Sequence, residues 1–443
     1  MLTRRRVLRL WFPLAASWAL MGAEGPLFTY FVAGMADQKI NLAAFGSITF
    51  PIALVVEGPI IMMLAASTAL CRDWPSYRKV RRFMFAASAA LTVIHAAIAF
   101  TPLYHVVAAD LLGVPEEVRA PGRLGLQLLL PWSAAIAYRR FLQGVLIRFH
   151  ASRMVMLGTI ARLVALVGVL MVGSRLGHWS GIAVGSFAIS CGVVVEALFV
   201  RWAARPVLRE RMPQHDPQAD PVDRHRFLAF YAPLAMTPLI TLFIQPAGSA
   251  AMSRMEDAAL SLAAWQVVHA LIFLMRSTGF AFNEVVVAQL DEPNARPALR
   301  SFALLLAATT SGLLALLALT PLSDLVFDRL YRLEPELAVV CRTALLFGLA
   351  MPAYQALQSW YQGQLVHAKR TRGITEAVSI YAVTALVGLW AAARWSGATG
   401  IYAALTVFTV GGVLQTAWLA RRVRSLEADG PAGHHRADAP RSG

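Results

Sequence analysis

Charged side chains buried deep in long apolar runs are the residues of this sequence best placed to do chemistry, because a charge far from water needs a partner or a purpose. Arg139 and Arg140 stand side by side in one such run, with Gln143 one turn beyond Arg139 on the same helical face. Arg276 stands in another, with His269 two turns before it on a shared face. At mid-bilayer an isolated charge costs roughly 2.5–3.5 kcal/mol on insertion scales. Guanidinium groups facing a wet cleft would grip a carboxylate or phosphate through two parallel hydrogen bonds. The competing reading is structural: these arginines snorkel to the interface, or pair with Glu196 or Glu284. Both readings stand for Arg139 and Arg140, since the nearer surface is about 10 Å away at 1.5 Å rise per residue. Arg276 lies deeper and points to binding.

Gln355, Gln358 and Gln362 follow an i, i+3, i+7 pattern, a polar stripe expected to face a cavity, with helix-to-helix hydrogen bonding as its alternative. The tripeptide Glu-Gly-Pro occurs twice, as Glu24-Gly25-Pro26 and Glu57-Gly58-Pro59, each in mid-run. Proline cannot bond the carbonyl four residues back, so the carbonyls of Gly22 and Val55 are freed and the helix can bend there. Freed carbonyls beside a carboxylate are what a proton or sodium site uses in broken transporter helices; a plain kink is the alternative. No cofactor or metal is expected, only H+ or Na+ as a coupling ion. Cys71, Cys191 and Cys341 have no metal-ligand spacing. A membrane-embedded enzyme is disfavoured, since no nucleophile elbow and no clustered acid–base set is present.

The elements that must hold these residues are membrane helices. Of the 443 residues 58% are hydrophobic, and the mean hydropathy is +0.57. No water-soluble core could hide so much apolar surface. Runs of about 20 residues suit helices and exclude the alternating strands of an outer-membrane barrel. About twelve spans are predicted, near 10–34, 42–70, 83–107, 124–147, 154–174, 181–203, 227–252, 257–286, 301–322, 338–366, 374–394 and 399–420. The net charge of +15 is distributed loop by loop and does not mark a nucleic-acid binder. Basic residues cluster in alternate connections, around Arg4 to Arg9, Arg78 to Arg82, Arg205 to Arg211, Lys369 to Arg372 and Arg421 to Arg424. The positive-inside rule then puts both termini in the cytoplasm of a cell with a bacterial-type inner membrane. The first apolar segment resembles a signal peptide but recurs near residue 230, so it is read as the first span.

That recurrence is general. A shift of 220 lays Pro13-Leu14-Ala15 on Pro233-Leu234-Ala235, Pro26 on Pro246, and Met35 and Asp37 on Met255 and Asp257. Further on, at a shift of 219, Gln143-Gly144 falls on Gln362-Gly363. The expected fold is therefore all-α: two pseudo-symmetric six-helix bundles, 1–204 and 227–422, joined by a cytoplasmic linker at 205–226 and followed by a disordered tail at 423–443. Six spans per repeat relate the halves by an axis along the membrane normal, with a ligand site at their interface. Shifted by 220, Glu57 falls on Ser277, beside Arg276. Glu57 and Arg276 are accordingly expected to pair across the cleft as a gate, with Glu24, desolvated at its helix break, carrying the proton and Glu284 near the same path.

Trp11-Phe12-Pro13-Leu14, Leu42-Ala43-Ala44-Phe45-Gly46, Gly58-Pro59, Tyr231-Ala232-Pro233-Leu234, Pro246, Ser253-Arg254, Glu284 and Gly397-Ala398-Thr399-Gly400 resemble segments of the progressive ankylosis protein family. That family falls within the superfamily of multidrug, oligosaccharidyl-lipid and polysaccharide exporters, whose fold is two six-helix lobes in a V. The resemblance implies an exporter of a small anion such as pyrophosphate, a nucleotide or citrate; separately, the chain is expected to work as a monomer in the lipid bilayer. Gln245 departs from it, standing where the animal members carry positive charge ahead of Pro246. A cation–drug antiporter and a flippase of a lipid-linked pyrophosphate are the alternatives.

Overall fold

The computed structural model describes residues 2–216, 224–395 and 397–428. They form twelve helical segments: α1 (4–33), α2 (Gln38–Leu70), α3 (Trp74–Phe100), α4 (116–148), α5 (Ser152–Leu176), α6 (Gly181–Glu210), α7 (Arg224–Met252), α8 (Ala258–Gln289), α9 (Ala295–Leu319), α10 (Pro335–His367), α11 (Arg372–Trp395) and α12 (Gly400–Ala428). Among the described residues nine of these are long and apolar enough to cross a membrane, and two of the nine, α2 and α10, contain a short turn, ending at Met62 and at Ala350. The other three are α1, α4 and α7. The first two are interrupted, at Ala23 and at Leu129-Leu130, where Pro131 opens the second part of α4. In α7 the apolar stretch is confined to Pro238–Met252.

Several helices overrun the predicted spans into their basic flanks. α3 begins at Trp74, α6 continues to Glu210 inside the expected linker, and α12 continues to Ala428 inside the expected tail. Hydropathy marks only the lipid-embedded part of a helix, whereas backbone hydrogen bonding carries it on into water. The rest of the expected linker at 217–223 and the tail beyond 428 lie outside the described residues. Asp73 fixes the start of α3: its carboxylate accepts from the Ser76 amide at 2.9 Å, the Ser76 hydroxyl reaches back to it, and Pro75 occupies the first turn.

The two halves repeat one another in backbone detail. Asp37 and Asp257, 220 residues apart, precede α2 and α8 with the same left-handed conformation, both at φ 51°. Thr101 and Thr320 end α3 and α9, each hydroxyl bonding the carbonyl four residues back, at 2.6 Å in both. Each is followed by one π-helical turn, Val106–Leu111 and Leu325–Leu330. Gly144 of α4 lies against Ser67 of α2, and Gly363 of α10 against Val286 of α8, so the same close crossing is built twice. Gly46 faces Gln266, its own counterpart under the shift of 220, so α2 and α8 cross on the pseudo-twofold axis.

Contact between the halves is carried chiefly by α1, α2, α7 and α8. At the end bearing both termini, Leu2 donates to the Pro293 carbonyl and Arg6 pairs with Glu292 at 3.1 Å. The opposite end is fastened by polar groups. Arg254 at the end of α7 donates to the carbonyls of Asp110, Leu111 and Leu112 in the first half, at 3.3, 2.9 and 3.2 Å. Gln38 bonds the Arg332 carbonyl and the Glu334 amide, both at 3.3 Å.

Candidate functional site

Each Glu-Gly-Pro motif assigns its three residues three different tasks. The proline falls at a break: α1 is interrupted at Ala23, and α2 tightens to a 3₁₀ turn over Gly58–Ile60. The glycine is where the other half comes closest, since a Cβ on Gly25 would stand 2.9 Å from Ala270 of α8, and one on Gly58 would stand 2.8 Å from Leu239 of α7. The glutamate turns the other way, into the first half. Glu24 pairs with Arg162 of α5 at 2.5 Å, and Glu57 lies under the influence of Arg140 and Arg139 of α4.

These glutamates belong to a network of three carboxylates and three guanidinium groups buried in the first half. Glu196 of α6, fully buried, accepts from Arg139 at 3.1 Å and from the Gln143 amide at 2.9 Å, and its second oxygen faces Arg162 at 3.6 Å. Arg162 therefore bridges Glu196 and Glu24, and its guanidinium also lies 5.8 Å from the centre of the Trp132 ring. One oxygen of Glu57 and the Nε atoms of Arg139, Arg140 and Arg162 make no hydrogen bond. The three positive and three negative groups are balanced, which is what permits so many charges in a low dielectric.

Among the described residues of the second half, Arg276 is the cation placed deep in a span. Arg276 of α8 donates to the Gln355 side-chain oxygen of α10 at 2.9 Å and lies 5.5 Å over the Tyr354 ring. Among the described residues no carboxylate pairs with it, and its Nε has no hydrogen-bond partner. At 1.5 Å rise per residue it stands about 27 Å from the start of α8 and about 20 Å from its end. His269 stacks on Trp265 at 4.8 Å, on the face that leads to Arg276. The expected glutamine stripe divides. Gln355 serves Arg276, whereas Gln358 is turned to α12, donating to Gly412, Gln415 and Thr416 at 3.1–3.2 Å. Gln362 is half-buried and Glu284 exposed.

Glu57 and Arg276 do not meet in this structure. Ser277 is the residue that faces the first half, its hydroxyl 3.0 Å from where a Cβ on Gly22 would stand, so Arg276, a further 100° around α8, points to α10 instead. Arg139 sits in the ion pair with Glu196 that the sequence offered as its structural alternative. Arg162 escaped the sequence reading, although a lone arginine midway along an apolar span was signal enough. Pseudo-equivalence, too, becomes informative only with the contacts known. Shifted by 219, Arg139 and Glu196 fall on Gln358 and Gln415, and these two also touch, at 3.2 Å. The same cross-link joins the fourth and sixth helices of both halves, ionic in one and neutral in the other.

Solved structures share this fold, three of them as follows. An inward-facing multidrug resistance transporter of the MATE family, in the MOP superfamily, superposes with a TM-score of 0.76 at 13% identity, over 97% of this chain and 100% of that one. The lipid II flippase MurJ, in an inward closed conformation, gives 0.68 at 14% identity, over 93% of this chain and 87% of that one. A MOP superfamily transporter from Pyrococcus furiosus, described as having a binding pocket of reverse polarity, gives 0.63 at 15%, over 96% of each chain. No protein-family model matches the chain, and no curated protein matches it. At these identities the likeness is one of fold: an all-α membrane protein of twelve helices in two pseudo-symmetric bundles.

Proposed function

We propose that this chain is a secondary transporter that exports a small organic or phosphate-bearing anion by alternating access, as the resemblance to the progressive ankylosis proteins suggested. The observation that carries the reading is the imbalance between the halves. Glu24 and Glu196 are held in ion pairs with Arg162 and Arg139, and Glu57 lies in the field of Arg140 and Arg139, so the negative charge of the first-half network is already balanced. Arg276 is the reverse, a cation deep in the molecule held by an amide oxygen and an aromatic face, with bonding capacity unused. An anion arriving there would gain a charge-assisted, two-pronged contact without breaking an ion pair. His269 and Gln355 flank the position.

In this reading the bundles 1–204 and 227–422 rock about the glycine contacts, with both termini cytoplasmic in an inner membrane and the opposite end closed by Arg254 and Gln38. H+ or Na+ acts at Glu24, whose exchange of Arg162 for the ion would loosen α1 at its break. The protein works as a monomer. A flippase of a lipid-linked pyrophosphate is the second reading; the likeness to the lipid II flippase favours it, and it would use the same guanidinium.

The test is a thermal-shift screen of the purified protein against di- and tricarboxylates, nucleotides, pyrophosphate and cationic dyes, run on the wild type and on Arg276→Gln. A ligand that binds only the folded state raises its melting temperature. Stabilisation by an anion that disappears in Arg276→Gln supports the proposal. Stabilisation by dyes alone, equal in both proteins, transfers the function to drug export.

A further inference from the structure

A cavity of about 530 Å³ opens on the first half between α3, α4 and α6, apart from the interface between the halves and from Arg276. Arg81 and Arg201 stand at its mouth, both exposed, and among the described residues neither pairs with a carboxylate. Arg81 lies 5.4 Å over the Tyr77 ring, and Tyr138 adds a second phenol from α4. Below the arginines the walls are apolar. Phe85 is 53% exposed and Leu198 59% exposed, so the groove is open sideways to whatever surrounds the helices. From Arg81 to Ser88 at the floor is two turns, about 10 Å of helix.

Two cations and two phenols at the mouth, with an apolar trough running inward from them, match the chemistry of one ligand class. We propose that this cavity binds one anionic phospholipid from the leaflet at the terminus end of the molecule. Its phosphate sits between Arg81 and Arg201, and its first acyl segment lies along Phe85 and Leu198. The surroundings favour such an occupant: Arg78, Lys79 and Arg82 on α3 and Arg205 and Arg209 on α6 make this end strongly basic, which concentrates anionic headgroups. Tyr138 and Ala197, which line the cavity, are sequence neighbours of Arg139 and Glu196, so the bound lipid packs against the outer side of the α4–α6 ion pair.

Native mass spectrometry of the full chain, released from mixed phosphatidylglycerol and phosphatidylcholine nanodiscs, tests this. The wild type should retain one phosphatidylglycerol in clear preference to phosphatidylcholine. Arg81→Gln with Arg201→Gln should reduce that retention at least tenfold, and Ala134→Trp, which fills the floor and keeps both arginines, should do the same. Arg78→Gln with Arg82→Gln, on the same basic run but outside the cavity, should leave retention within twofold of wild type. Equal retention of the two lipids, an unaffected Arg81/Arg201 variant, or equal losses in the Arg78/Arg82 control would each overturn the site. Displacement of the lipid by millimolar glycerol phosphate or inorganic phosphate would also overturn it, reducing the cavity to a simple anion site.

Discussion

Glu196 holds Arg139 and faces Arg162, while its counterpart Gln415 holds only Gln358, and this contrast supplies its own control. Removing one member of a buried ion pair strands its partner and costs about 3–5 kcal/mol. Losing one neutral hydrogen bond costs about 1 kcal/mol. Glu196→Leu is therefore expected to lower unfolding stability in detergent several times more than Gln415→Leu. Arg139→Gln combined with Glu196→Gln, which copies the second half's solution, should recover much of the loss. A double variant as unstable as Glu196→Leu would mean the network is not the pairwise scaffold described. The pair Arg139–Glu196 was legible in the sequence as one of two readings, because a buried arginine must find a carboxylate. What could not be read was which way Arg276 faces, since that depends on Ser277, rather than Arg276, being small enough to lie against α1.

At the scale of the element, the repeated Glu-Gly-Pro motif is the feature the sequence announced most clearly and explained least. Proline predicted a break in each helix, and both breaks are present. That the intervening glycine is the close approach to the other half could not be foreseen, because it requires knowing where α7 and α8 pass. Gly58→Leu should be folded yet impaired at least tenfold in transport, since its side chain would meet Leu239 and force the halves apart. Full transport by that variant would remove the hinge role. The start of α3 offers a stability test outside the membrane. Burial works against the Asp73 carboxylate, but hydrogen bonds from the Ser76 hydroxyl and amide and from the Asp216 amide, with His215 nearby, outweigh it and hold its pKa below the usual range. A depressed folded-state pKa contributes stability that is complete above the unfolded value, about 3.9, and lost as pH falls through the folded one. Asp73→Ala should cost about 1 kcal/mol at neutral pH, read as a lower melting temperature, and the difference from wild type should shrink below pH 4.

For the molecule as a whole, the hydropathy and the repeat together were enough to define the architecture, because a bilayer permits few alternatives to a helix bundle. The helix ends were not, since hydropathy is silent once a helix leaves lipid. Sidedness can be checked directly. Single cysteines at Lys39 and Lys79, in a background lacking Cys71, Cys191 and Cys341, should react with impermeant reagents from the periplasmic and cytoplasmic faces respectively, and reaction of both from one face would contradict the arrangement of spans. The central claim is that Arg276 receives an anion and that the bundles carry it across. It is tested most directly by counterflow in proteoliposomes, with the anion that gives the largest thermal shift as the labelled species. Wild type should accumulate label, and Arg276→Gln should lose at least tenfold, a change worth about 1.4 kcal/mol or more, while exposed Arg82→Gln stays near wild type. Equal accumulation by the wild type and a folded Arg276→Gln protein would contradict the account.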